Sequence, residues 1–364
     1  MKRQLLKITL QTILAGICLI MVVLLSGPVF YWQDQSPDGL NHGGLTEEQQ
    51  GQGIVRMMQA IEREGYAGAL IFEWMDEWAK KTWSTEPYMI PYERHVFWHN
   101  AIDPEQNYGL LSYEPEMAAD QPVVVKGEGS IRRIAVRHDA AFLYVDVEFA
   151  AQPDFSKEKL LIGLDTYDRG RGEMKFSLHM NVSAPGGLEF LLEFDAQDSR
   201  LLVHPGYNTA KSRYSSFASS QGVFEEIRPR IHEVRVSKDG TPIAAQYEDG
   251  SRLNYGDFKA NSYNHWYWEA SLLHIRLPWA RLNFSDPSSL MVLDDNSGAE
   301  ELVRDQLKTT RTEGIVVSAL YCDAAEQQKI DLLSTSAYNW QPWEVTAYRE
   351  RLKQSYYILQ ELLR

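Results

Sequence analysis

From Gln121 onward the chain is a series of short segments in which apolar and polar residues alternate, separated by Gly, Asp and Asn with no helical period between them. Phe142 to Phe149 is the clearest. Leu143, Val145, Val147 and Phe149 share one face, and Tyr144, Asp146 and Glu148 share the other. Comparable segments run from Ile131 to Val136, Leu160 to Leu164, Leu188 to Phe194, Ile231 to Val236, Ile243 to Tyr247, Trp266 to Leu277 and Ile315 to Tyr321. Roughly eight to ten strands without intervening helices predict a large antiparallel, jelly-roll-like β-sandwich. It occupies residues 119–364. At its end, Pro342 precedes Val345, Tyr348, Leu352, Ile358, Leu359 and Leu362 on an amphipathic pattern, which predicts a C-terminal helix docked on the sandwich.

The other end of the chain has a different texture. Lys2, Arg3 and Lys7 precede an apolar run from Ile8 to Phe30, and its 18 residues from Ile8 to Leu25 nearly match what a hydrocarbon layer of about 30 Å requires. The run ends Val23-Leu24-Leu25-Ser26-Gly27-Pro28, with Leu at −3 whether Ser26 or Gly27 stands at −1, so residues 1–31 read as an uncleaved signal anchor. Ile17 before Cys18 does not suit a lipoprotein signal. Basic residues before the span and none directly after it place the N-terminus in the cytoplasm and the bulk of the chain outside. The net charge of −14 does not suit nucleic acid or anionic lipid. Cys18 and Cys322 fall on opposite sides of the membrane boundary, so neither a disulfide framework nor a cysteine metal site is expected.

Between anchor and sandwich lie residues 32–118. After a loop from Gln33 to Gly44, Thr46 and Gln49 have the form of a capping box, and Ile54, Val55, Met57, Met58 and Ile61 supply a helical face up to a C-cap at Gly65. Ala67 to Trp74 is then apolar throughout except for Glu73, which predicts a strand buried on both faces. Its parity places Ala67, Ala69, Ile71 and Glu73 on one side, and Leu70, Phe72 and Trp74 on the other. The end of this strand brings Glu73, Asp76 and Glu77 beside Trp74 and Trp78. Carboxyls desolvated by tryptophan suit general-acid work, but the simpler reading of Asp76 and Glu77 with Lys80 and Lys81 is a solvated, ion-paired helical turn. His42, His95 and His99 match no zinc spacing.

Two resemblances emerge from these residues. Gly43 to Gln49, Ala69-Leu70-Ile71-Phe72-Glu73-Trp74-Met75-Asp76-Glu77-Trp78, Trp98-His99-Asn100 and Asp103 to Gly109 resemble the closing part of a (β/α)8 barrel of the family 2 glycoside hydrolase type. From about Pro122, His138-Asp139, Leu143-Tyr144-Val145, Leu161 to Tyr167, Glu269 and Arg276-Leu277-Pro278-Trp279 resemble the carbohydrate-binding sandwich of the family 9 modules. The first resemblance implies that Ala67 to Trp74 is the eighth barrel strand and that Glu73, Trp74 and Asp76 line a sugar subsite. It also implies catalysis by two glutamates about 5 Å apart. That pair has no counterpart here: a whole barrel takes about 250 residues, residues 32–118 are far fewer, and the chain contains no Asn-Glu dipeptide. The second resemblance implies structural calcium at the acidic turn of Asp165 and Asp168 with Gly170 and Gly172, and an aromatic clamp on a sugar ring.

The expected fold is therefore α+β: a membrane helix, a short partial (β/α) barrel-like segment, and a large sandwich with a C-terminal helix. No catalytic residue is assigned beyond the candidates Glu73, Asp76 and Glu77. Ligand contacts are expected at Glu73, Trp74, Trp78, Trp266, Trp268 and Trp279, with Tyr263, His265, Tyr267, Trp340 and Trp343 nearby in type or sequence. Strand parity separates Trp266 and Trp268 from Tyr267, so at least one set belongs to the core. The leading expectation is a membrane-anchored, extracytoplasmic protein that binds a polysaccharide or oligosaccharide, derived from a glycosidase, requiring no cofactor beyond the calcium considered. Alternatives are one part of a split glycoside hydrolase completed by a partner chain, and a structural envelope protein without ligand.

Overall fold

The computed structural model describes residues 45–364, apart from 83–84, 86–88, 196–197, 212–214, 260–263, 296 and 298–306. The expected signal anchor lies outside the described residues. Among those residues no helix is long and apolar enough to cross a membrane. The chain is mainly β with two described α-helices, and its sheets are arranged like those of a four-bladed β-propeller. The β-rich part of the expectation holds, with a propeller-like arrangement of sheets in place of a jelly-roll sandwich, and the segment read as a barrel remnant contributes, among its described residues, one α-helix, Glu47–Arg63, and the strand Leu111–Pro115.

One six-stranded sheet runs in the order Glu225–Glu226, Ser199–Val203, Phe190–Phe194, Glu158–Asp165, Val316–Asp323 and Lys329–Ser334, antiparallel throughout. The other runs Asn254–Tyr255, Asn264–Glu269, Leu272–Pro278, Phe142–Phe149, Ile131–His138 and Val123–Lys126. Each turns one parity set into the same apolar cluster. Val145, Val147, Ile134 and Ile275 enter it from one sheet, and Ile162, Leu192, Val317 and Ala319 from the other. Burying a side chain of this size stabilises by about 1.5–3 kcal/mol, so a one-residue register slip of Phe142–Phe149 would lose that gain and turn Tyr144, Asp146 and Glu148 toward the core. Leu161, Leu191 and Leu320, of opposite parity, enter a second cluster behind the first sheet.

Several predicted strands are subdivided. Trp266 to Leu277 is a hairpin, Asn264–Glu269 and Leu272–Pro278, joined through Ala270 at φ 54°. Ile231 to Val236 is split between Arg230–His232 and Arg235–Val236. Two three-stranded sheets complete the larger elements: Ala218–Ser219, Gly172–Lys175 and Ser183–Leu188, and Phe284–Asp286, Met291–Leu293 and Thr309–Arg311.

The two ends of the described chain form a unit together. Helix α1, Glu47–Arg63, carries the predicted capping box: Gln49 N–H donates to Thr46 Oγ1, and Thr46 N–H to Gln49 Oε1. It ends at Glu64, followed by Gly65 at φ +74°, with Gly65 N–H donating to Glu62 O and Tyr66 N–H to Ile61 O. This paired closure is the Schellman arrangement, which favours glycine at the left-handed position. Helix α2, Gln354–Leu362, packs on α1 through Ile54, Leu110 and Leu359. Gly51 permits the approach, since a Cβ there would lie 2.9 Å from Ser355 Cα. Leu111–Pro115 and Tyr348–Leu352 pair antiparallel beside the helices.

Three expectations fail in this unit. Tyr348–Leu352 is a strand, so the terminal helix begins only at Gln354, and Val345, read as part of its apolar face, is 86% exposed. The helix docks on α1, not on the large sheets. Ala67 to Trp74 forms no strand. Ile71 packs against the helical cluster, but Leu70 is 63% exposed. An uninterrupted apolar run signals a strand only where both faces find cover. Here one face does not. The stretch is tied down at its end, where Leu110 and Leu111 N–H donate to Trp74 O and Asp76 N–H donates to Leu111 O.

Candidate functional site

The acids and aromatics between Phe72 and Trp78 are sorted into a buried frame and an open face. Asp76 belongs to the frame. Its Oδ1 accepts from Lys353 Nζ at 2.7 Å and from Gly109 N–H at 3.0 Å, with both charged side chains buried. Burial raises the Asp76 carboxyl against the pull of Lys353. The pair fastens the C-terminal segment to this stretch and leaves Asp76 no role as a catalytic acid. Trp78 is also buried. It stacks on His99 at 5.4 Å and 14° and meets Tyr348 edge-on, so it offers no face to a ligand.

The motif around Trp98 to Gly109 is scaffold as well. Gln106 Nε2 donates to Trp78 O and Lys80 O at 2.7 and 3.0 Å, and its Oε1 accepts from Asn100 N–H. Asp103 receives Thr82 N–H, Glu105 N–H and the Thr85 hydroxyl, while burial pushes its carboxyl up to about 6. His99 is driven down to about 4 by burial and keeps a 3.1 Å contact with Asn107. His95 contacts Met89 O and is likewise lowered by burial. Burial thus favours the neutral form of both imidazoles, and His95 Nδ1 is buried without a hydrogen-bond partner.

The open face consists of Phe72, 40% exposed, and Trp74, 52% exposed. Phe72 meets Tyr108 edge-on at 6.4 Å, and Trp74 meets Tyr356 of α2 edge-on at 5.9 Å. Between them in sequence, Glu73 turns inward. Its Oε2 accepts from Lys80 Nζ at 2.8 Å, while Oε1 is buried with no hydrogen-bond partner. Burial pushes Glu73 up to about 7, opposed by Lys80 and assisted by Glu77. Glu77 remains exposed, 3.4 Å from Lys80. Glu73 and Trp74 thus stand together as expected, while Asp76 and Trp78 are withdrawn into the frame.

The tryptophans expected to contact ligand in the β region are mostly core. Trp279 is fully buried and donates Nε1–H to Asp139 O at 3.1 Å, which removes it as a sugar platform. Trp266 and Trp268 pack half-buried against the main cluster, where Trp266 meets Phe194 and Trp268 meets Phe149 and Phe155. Tyr267 is on the opposite face, stacked on His274 at 4.6 Å. Trp340 is buried, Trp343 stacks on His138, and His265 is buried and lowered by desolvation. Tyr263 lies outside the described residues.

His274 was not anticipated from sequence. It contacts Asp146 Oδ1 at 2.7 Å, Asp146 also pairs with Arg137, and the imidazole is raised by that carboxylate. The outward parity of Asp146 was the available signal.

At the acidic turn expected to hold calcium, Asp165 and Asp168 lie near enough for the charge of Asp168 to act on Asp165. Asp168 Oδ1 accepts from Gly170 N–H at 2.8 Å within its own turn. Asp165 Oδ2 is buried without a hydrogen-bond partner, 3.5 Å from Arg169 Nε, and burial pushes this carboxyl up to about 7. Among the described residues no group of three or more His, Cys, Asp or Glu is arranged to hold a metal. Comparison with protein-family models, curated proteins and solved structures finds no significant match to this chain.

Proposed function

We propose that the chain is a membrane-anchored, extracytoplasmic carbohydrate-binding protein whose ligand face is Phe72 and Trp74 with Glu73 and Lys80. The observation that carries this reading is a half-exposed tryptophan beside a buried carboxylate with one unpartnered oxygen. Flat rings match the apolar C–H faces of sugars, and convergent polar groups orient hydroxyls. The anchor is Ile8 to Phe30, and the ligand face is carried beside the propeller-like sheets, two of which share one apolar core. Binding is favoured over cleavage because Asp76 is committed to Lys353 and Glu73 to Lys80. The split-barrel alternative loses its motive, an apolar strand needing neighbours, because Ala67 to Trp74 is not a strand.

A glycan array probed with the full chain in detergent tests the proposal. Binding to at least one polysaccharide class, abolished in Trp74→Ala with the melting profile intact, is the expected result. No binding by the folded protein would refute it.

A further inference from the structure

The ammonium of Lys80 sits in a receptor made by its neighbours. Nζ lies 3.9 Å from the centre of the Phe72 ring and 5.9 Å from that of Tyr108. It is 2.8 Å from Glu73 Oε2 and 3.4 Å from Glu77 Oε2. Two ring faces and two carboxylates around one cation are the components of ammonium recognition, in which ring quadrupoles and negative charge act together. The enclosure is open on the Phe72 and Glu77 side, both of which are exposed, while Glu73 forms a buried wall whose Oε1 has no partner. Trp74 stands exposed immediately along the chain.

We propose that this enclosure is the binding site for a primary ammonium group on a sugar, the free amine of an amino sugar lacking its N-acetyl group, and that Lys80 is an internal occupant which the ligand displaces. The inference rests on the reading of the Phe72 and Trp74 face as sugar-binding and names the sugar class. Displacing Lys80 leaves Glu73 and Glu77 facing an empty space. A neutral sugar does not restore the lost charge pairing; an ammonium does. Trp74 then takes the C–H face of the same or the next ring. Lys80 stem flexibility makes the exchange inexpensive, since a lysine ammonium swung into water is fully hydrated.

Calorimetric titration of the full chain in detergent with a β-1,4-linked glucosamine trisaccharide, and with its fully N-acetylated counterpart, tests the proposal. Lys80→Met is expected to bind the amino form about tenfold or more tighter than the wild type, with no gain for the acetylated form. Lys80→Arg keeps the enclosure filled and stays at wild-type affinity, and adding Phe72→Ala to Lys80→Met removes the gain. Absence of a gain, or an equal gain for both forms, overturns the enclosure. If the acetylated form still binds in that case, the sugar-binding reading survives. If neither form, nor any glycan on the array, binds a folded variant, that reading fails first. Should Lys80→Met not fold, the wild type decides the matter by NMR. Lys80 Hε resonances, shifted by the Phe72 ring current, must return toward solvent values on saturation with the amino trisaccharide, and unchanged shifts overturn the proposal.

Discussion

Leu143 and Phe72 are both large apolar residues in runs that read as strands, yet Leu143 is sealed between two sheets and Phe72 stands open to solvent. The difference is in what faces them. Leu143 belongs to a period-two pattern, and each of its neighbouring strands supplies a matching inward residue, Leu277 on one side and His138 on the other. Phe72 belongs to an unbroken apolar run, whose burial depends on partners that the run does not specify. Apolarity at period two is thus a statement about packing, whereas continuous apolarity is a statement about opportunity. In this chain the uncovered part of that opportunity is the candidate ligand face.

The comparison yields graded expectations. The largest effect should come from the frame that holds the open face: Lys353→Met strands the buried Asp76 carboxylate and should cost about 3–5 kcal/mol in chemical denaturation. Leu143→Ala opens a cavity between the sheets and should cost about 3 kcal/mol by the same assay. Gly51→Val forces α1 away from Ser355 and Ile358 and should cost about 2 kcal/mol, with the loss confined to the terminal unit by hydrogen exchange.

A smaller and pH-dependent effect belongs to Glu73, whose carboxyl is raised from 4.5 to about 7 in the folded protein. A raised acid favours the folded state when neutral, so its contribution is fully present below about 4.5 and disappears as the pH climbs through 7. Glu73→Gln should therefore flatten the decline in melting temperature over that interval; an unchanged slope would mean that Glu73 ionises normally. The least effect on stability is expected of Trp74→Ala, within about 0.5 kcal/mol, although this variant should lose glycan binding entirely.

The legible part of the molecule was the part governed by short-range rules. The capping box of Thr46 and Gln49, the inward parity of Phe142 to Phe149, and the separation of Tyr267 from Trp266 and Trp268 all follow from local geometry. Long-range partners were not legible. Nothing in Tyr348 to Leu352 distinguishes a helical face from a strand until Leu111–Pro115 is placed beside it, where Glu114 pairs with Arg349 and Arg351. The same holds at the site. Glu73 and Trp74 could be proposed from sequence because side-chain chemistry is local, but Asp76 looked equally available. Only its partner, Lys353, removes it. Tyr108 and Lys80 were missed as parts of an enclosure because their meeting with Phe72 depends on how the loop between them folds.

Hydroxyl-radical footprinting of the full chain, with and without a glycan that it binds, tests most directly whether the Phe72 and Trp74 face is an open ligand surface. The account predicts rapid oxidation of Phe72 and Trp74 beside slow oxidation of Trp98 and Trp279, and protection of Trp74 when the glycan is added. A slow-reacting Trp74 in the free protein, or one whose oxidation is unchanged by bound glycan, would contradict it.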